Sequence, residues 1–166
     1  MGLKKRLRKG GRDPVKIDFV WTDGADNAFA EFYKVTENYY SRLVGGIQNR
    51  KEFVPYNNLS EIRDVLIAYQ AGAPVACGSY KEYDKETIEI KRVWVNEDCR
   101  GKHIAKSIME RLEERAISRG YKRAVLQTRE QMTDAIGLYT KLGYRRIANY
   151  PPYDCLNGAV CLAKEL

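Results

Sequence analysis

The sequence predicts one α/β (α+β) domain, a mixed central sheet of about seven strands flanked by helices on both faces. Three observations carry this. The hydrophobic period switches between two and about 3.6 residues along the chain in the order β-α-β-β-β-α-β-α-β-β. Three strand patterns follow one another in the middle, which gives an antiparallel meander. Glycines close the helical patterns. A chain of 166 residues fits one domain with a closed core, and 44% hydrophobic with 31% charged residues is ordinary for a globular protein.

The elements follow in order. Val15 to Phe19 alternates like a first strand, after Pro14. Asp23 to Tyr40 reads as a helix, with Phe29, Phe32, Tyr33, Val35 and Tyr39/Tyr40 at three- and four-residue intervals and Gly45-Gly46 beyond. Residues 47–63 are polar and hold Pro55 and Asn57-Asn58, which suggests a short helix plus a loop. Val65–Tyr69 and Pro74–Tyr80 form a hairpin about Gln70–Ala73, and a turn at Asp84–Glu86 leads to a strand over Thr87–Val95. Ile104, Ile108, Leu112 and Ala116 make the stripe of an amphipathic helix stopped by Gly120. Ala124–Thr128 is a buried strand, and Thr133 is placed to cap a helix from Asp134 to Leu142 that Gly143 closes. Arg145–Tyr150 and Ala159–Lys164 complete the sheet.

Charge and cysteines exclude several classes. The net charge of +7 is concentrated in residues 1–13, which contribute +5 and leave +2 for the rest. Residues 1–13 are expected to be a flexible basic N-terminal arm, with the folded domain over 14–166; the arm is a weak candidate for an anionic partner such as RNA or anionic lipid. Myristoylation is disfavoured because Arg6 stands where Ser or Thr is wanted. Apolar runs fall short of the roughly 18 residues of a membrane span, and no secretory signal opens the chain, so a cytoplasmic location is expected. Cys77, Cys99, Cys155 and Cys161 lack metal-ligand spacing and His103 is the sole histidine, so reduced structural thiols and no metal are expected.

The segment richest in chemistry is a strand, a tight turn and a helix: Glu89 to Val95, Asn96 to Arg100, then Gly101 onward. The first amides of a helix lack intrahelical partners and carry partial positive charge, so they can cradle a diphosphate, and Arg100, Lys102 and Lys106 add charge around them. By physics alone this is an anion site of ordinary kind; many basic helix starts bind nothing.

The turn Arg100-Gly101-Lys102-His103-Ile104-Ala105 resembles the Arg/Gln-x-x-Gly-x-Gly/Ala acyl-CoA motif of the GNAT superfamily of N-acetyltransferases. Glu89-Ile90-Lys91-Arg92 before it, Ala135 to Tyr144 after it and the closing stretch Asn149 to Leu166 are similar to bacterial-type members, and the element order agrees from about residue 15. His103 departs from the pattern, standing where the family has its first motif glycine; a residue in the helical range would still offer its N–H there. The resemblance implies the acyl-CoA N-acyltransferase fold and an acetyl-CoA-dependent acyltransferase that moves acetyl to a primary amine of a small molecule or amino acid by direct attack, through a tetrahedral intermediate.

It also implies roles. The Val93 N–H would stabilise the oxyanion and Val95 would pair with the pantetheine arm, between the strand ending near Val95 and that at Ala124–Thr128. CoA contacts would come from Arg100, Gly101, Lys102, His103, Ile104, Ala105 and Lys106, with Thr128, Thr133, Ala135 and Lys141 as further candidates. Freeing the lone pair of an amine with a pKa near 10.4 costs on the order of 4–5 kcal/mol at neutral pH, which calls for a base. Glu89, eleven residues before Arg100, matches the family's glutamate and shares strand parity with Val93 and Val95. An ion pair with Lys91, Lys81 or Arg92 would account for it as well. Tyr139 falls at the general-acid tyrosine and would protonate the departing thiolate, although a core aromatic beside Ile136 and Leu142 has the same spacing.

The acceptor pocket is expected between the first helix, the 47–60 loop and the last hairpin, with Tyr33, Phe53, Tyr56, Asn57, Tyr150 and Tyr153 as candidates. A non-catalytic acyl-CoA-binding module, or a protein- or RNA-interaction module of the same fold, is the alternative. The acceptor's identity and homodimerisation stay open.

Overall fold

The computed structural model describes residues 16–166. The expected arm over residues 1–13, with Pro14 and the expected strand start at Val15, lies outside the described residues. The described chain runs β1 (Ile17–Thr22), α1 (Asn27–Leu43), β2 (Asp64–Gln70), β3 (Ala73–Glu82), β4 (Thr87–Val95), α2 (Ile104–Ser118), β5 (Arg123–Arg129), α3 (Thr133–Lys141), β6 (Arg145–Ile147) and β7 (Ala159–Glu165). The strands form one sheet in the order β1-β2-β3-β4-β5-β7-β6. Among the described residues only the β4–β5 pairing is parallel, because α2 carries the chain back between them.

The hydrophobic stripes decide which face each helix covers. Ile104, Ile108, Leu112 and Ala116 of α2 pack with Leu66, Ala76 and Ile90 on one face of the sheet. Phe29 and Phe32 of α1 pack with Val65, Ile67, Cys77 and Trp94 on the other. Alternation along β2 delivers Leu66 and Ala68 to the first core and Val65 and Ile67 to the second. Complete burial of a side chain such as Ile108 or Leu112 stabilises by roughly 1.5–3 kcal/mol. Tyr139 and Tyr144 join the α2-side core, so α3 lies on that face. A third cluster, Phe53, Tyr153, Ala159 and Cys161, extends the α1 side over β7.

Several boundaries differ from the sequence expectation. The first helix starts at Asn27 because Asp26 caps it, accepting from the Phe29 N–H at 3.1 Å. Residues 47–63 form two 3₁₀ turns, Ile47–Arg50 and Val54–Asn57, in place of a helix, with Pro55 inside the second. Thr133 is the first residue of α3 and not its cap; Met132 holds the cap position and no side chain caps the helix. The strand expected to reach Tyr150 ends at Ile147. All four cysteines are free, with Cys155 alone exposed. Among the described residues no helix is long and apolar enough to cross a membrane.

Candidate active site

The two parallel strands part company halfway along. β4 and β5 pair from Thr87↔Arg123 to Ile90↔Leu126, yet both strands continue, to Val95 and Arg129. The cause lies on the other edge of β4. Lys91 faces Ser79 and Trp94 faces Cys77, so Arg92 and Val93 together oppose Gly78. Arg92 takes the left-handed conformation, with φ of 57°, and this bulge bends the strand away from β5. The Ser79 hydroxyl donates to the Lys91 carbonyl at 2.7 Å and the Cys77 thiol to the Arg92 carbonyl at 3.3 Å. Gly78 is required opposite the bulge, since a Cβ there would lie 2.4 Å from Ile108 Cγ2 of α2.

The bulge also overturns the parity expected for Glu89. Lys91 and Arg92 both face the α1 side, where they meet Tyr153 and Glu37, so the alternation is reset. Val93 and Val95 pack into the α2-side core, whereas Glu89 contacts Tyr150 and Tyr153 on the α1 side. Glu89 and the pair Val93 and Val95 thus sit on opposite faces, joined through the gap between β4 and β5. A cavity of about 460 Å³ runs through that gap.

On the α2 side the cavity is lined by Val93 and Val95, by Arg100, Gly101, His103, Ile104, Ala105 and Lys106 of the turn, by Thr128, and by Ala135 and Tyr139 of α3. Lys102, Thr133 and Lys141 are not in its wall. The Asn96 N–H donates to the Val75 carbonyl at 2.9 Å, so by alternation the Val95 N–H points the other way, toward the opened edge of β5. His103 is left-handed, with φ of 60°, and not in the helical range; together with Gly101 at 75° it folds the turn so that α2 begins at Ile104. A side chain at such a position costs on the order of 1 kcal/mol relative to glycine. Arg100 reaches back over the sheet: its Nε donates to the Val95 carbonyl at 3.1 Å and its guanidinium lies 4.8 Å from the Trp94 ring centroid. Tyr139 is 9% exposed, and burial, reinforced by Tyr40, pushes its phenol well above the ordinary range, so it stays protonated. Burial likewise raises Tyr40, which lines the same cavity, to about 12.

On the α1 side the wall is made of side-chain charge. Glu89 is 2% exposed and accepts from the Tyr153 hydroxyl at 2.7 Å and the Tyr150 hydroxyl at 3.3 Å, with Lys91 Nζ at 3.6 Å. Lys91 donates to the Tyr153 hydroxyl at 2.9 Å and the Tyr56 carbonyl at 3.0 Å. These contacts form a chain from Lys91 through Tyr153 to Glu89. Burial first, then the charge of Glu89, pushes both Tyr150 and Tyr153 far up, so these phenols remain donors. Burial lowers Lys91, and Glu89 opposes that shift.

Beside this chain, Glu37 of α1 joins Arg50 and Arg92, each at 2.9 Å, and the Asn57 amide donates to it at 3.3 Å. The side chains of Arg50 and Arg92 are only 3% and 7% exposed. Burial raises the Glu37 carboxyl, but hydrogen bonds and charge from the two arginines outweigh it and hold the group below its ordinary range. Of the residues expected around the acceptor, Phe53, Asn57 and Tyr153 line the cavity, while Tyr56 and Tyr150 back Tyr153 at 5.7 and 5.4 Å between ring centroids. Tyr33 lies outside the wall, with the Arg92 guanidinium 4.4 Å over its ring.

Sequence reasoning missed Glu37, Tyr40, Arg50 and Arg129. Tyr33, Glu37 and Tyr40 follow i, i+4, i+7 spacing, a polar-aromatic stripe on a helix face that could have pointed there. Arg50 lies in the stretch without periodicity, and Arg129 one residue past the expected end of its strand; neither left a signal. Among the described residues no three His, Cys, Asp or Glu side chains come together as a metal site.

A sheet opened between two parallel strands, with a helix N-terminus at the opening, is one way to hold a strand-like ligand that ends in a diphosphate. The comparisons with known proteins agree with this class. Residues 26–144 match the acetyltransferase (GNAT) family, and the chain belongs to that family. It is 30% identical over 89 residues to an IAA acetyltransferase of Azospirillum brasilense, covering 53% of this chain and 58% of that protein. It is 37% identical over 70 residues to an N-acetylaspartate synthetase of Danio rerio, covering 42% of this chain and 25% of that protein. The matched parts therefore span less than two thirds of either relative. The solved structure of a PaiA N-acetyltransferase from Thermoplasma acidophilum in complex with coenzyme A shares the fold, with a TM-score of 0.72 and 14% identity over 92% of this chain and all of that one.

Proposed function

We propose that the protein transfers an acetyl group from acetyl-CoA to the primary amine of a small molecule or amino acid. The observation that carries this reading is the cavity through the β4–β5 gap, with the α2 start and Tyr139 on one side and Glu89 on the other. The donor's diphosphate would lie at the unpaired amides of Ile104 to Lys106, and its pantetheine arm along Val95. The Val93 N–H would receive the oxyanion.

Glu89 takes the ammonium proton, directly or through the Tyr153 hydroxyl or water. The freed amine attacks the thioester carbonyl; the new C–N bond forms and the C–S bond breaks. The thiolate leaves with a proton from Tyr139, whose buried phenol is protonated at neutral pH, and the second amine proton, lost as the amide forms, restores that phenol through water.

The test is CoA-thiol release from acetyl-CoA over a panel of amines. Tyr139→Phe is expected to lower kcat about 10-fold or more while changing CoA affinity little. Unchanged kcat rejects the acid assignment. Binding of acetyl-CoA without release on any amine rejects the enzyme reading in favour of an acyl-CoA-binding module.

A further inference from the structure

The α1 side of the cavity holds more positive charge, buried or half-buried, than it has carboxylates to balance. Arg50, Lys91, Arg92 and Arg129 all line it. Arg50 and Arg92 share the single carboxylate of Glu37, and Lys91 sits beside Glu89. Arg129 has no ion-pair partner among the described residues. It stands at the end of β5, with its guanidinium 4.3 Å over the Phe53 ring and one Nη donating to the Asn49 carbonyl at 3.2 Å. Its Nε is shut off from solvent and has no hydrogen-bond partner among the described residues. Burial, and then the charge of Arg50, disfavours its protonated form; exposed Glu52 offsets this without forming an ion pair.

A guanidinium held this way is short of an anion. An acceptor that is only an ammonium would add another uncompensated positive charge beside Arg50 and Arg129. An amine that also carries a carboxylate would bring its own compensation, and a carboxylate matches the guanidinium fork. Phe53 and Tyr153 belong to one cluster, so two aromatic rings stand between Arg129 and Glu89 along this row of contacts. Resting on the acetyl-transfer reading above, we infer that the acceptor is a primary amine bearing a carboxylate, the carboxylate taken by Arg129 and the amine turned toward Glu89. Arg129 is then a specificity-determining residue.

The test uses L-phenylalanine, L-aspartate and L-glutamate against their methyl esters, with acetyl-CoA in excess and CoA release as readout. The ester's amine is the less basic and loses its proton more readily, so chemistry alone favours the ester. The inference expects the opposite, a kcat/KM for the acids about 10- to 100-fold above that of the esters, carried mainly by KM. Arg129→Gln should shrink the acid-to-ester ratio about 10-fold, with Arg129→Lys falling between. Esters used as well as acids, or an unchanged ratio in both variants, overturns the inference while leaving acetyl transfer standing. If no compound releases CoA, calorimetric titration of the CoA-bound protein with the same pairs separates the two readings. Tighter binding of the acids supports the carboxylate site and sinks transfer; no preference sinks both.

Discussion

The two halves of the cavity are built from different materials. On the α2 side the wall is mostly backbone and apolar surface, with Arg100 and Lys106 as its charged members: the edge of β4 at Val93 and Val95, the turn of Gly101 and His103, the first amides of α2. On the α1 side it is side-chain charge, with Glu37 between two arginines and Glu89 held by Tyr150, Tyr153 and Lys91. Main-chain amides are supplied by any residue, so the α2 half, proposed above to hold the donor, can accept His103 at the start of α2. The α1 half depends on which side chains meet, and a single substitution there removes a partner from a buried charge. On the proposed reading, a half that recognises one fixed donor can rest on backbone, whereas a half that selects an acceptor needs particular side chains.

The sharpest way to break this contrast is Glu37→Ala. It leaves Arg50 and Arg92 buried without their carboxylate and is expected to cost about 3 kcal/mol in urea unfolding. Because the folded-state pKa of Glu37 is depressed, its contribution is full above the ordinary glutamate pKa of about 4.3 and is lost as pH falls through the lower folded value. The gap between wild type and variant should therefore close on acidification. A variant as stable as wild type at neutral pH would show the charged wall to be dispensable.

Glu89→Gln tests the same half through its chemistry. It keeps the shape, removes the proposed base, and should lower kcat/KM for CoA release about 100-fold, or about 2.7 kcal/mol in the barrier. A loss under about 3-fold assigns Glu89 to a structural ion pair. Ser79→Ala acts on the bulge that joins the halves. It strands the buried Lys91 carbonyl and should cost about 1–2 kcal/mol in thermal or urea unfolding.

The smallest effect is expected on the α2 side. His103→Gly relieves the left-handed side chain and should change stability by no more than about 1 kcal/mol, with CoA affinity retained. A large loss of CoA affinity, read by calorimetry, would mean that the imidazole and not the backbone carries the contact, and would erase the contrast.

What the sequence determined by itself is what local interactions encode. The order of elements, the α2 stripe of Ile104, Ile108, Leu112 and Ala116, and the strand–turn–helix around Gly101 were legible because periodicity and turn residues act within a few residues of one another. The charged wall was legible only in part: the resemblance pointed to Glu89, Phe53, Asn57 and Tyr153, but the pairings were hidden because partners lie far apart along the chain, Glu37 meeting Arg92 across 55 residues and Glu89 meeting Tyr153 across 64. The bulge at Arg92 was equally hidden. Nothing in Lys91-Arg92-Val93 announces a left-handed arginine; the conformation is imposed by pairing with β3 and by the packing of Ile108 against Gly78. That one displaced residue sends Glu89 to one face and Val93 to the other, and only the assembled sheet could decide it, because register is a property of two strands and not of one.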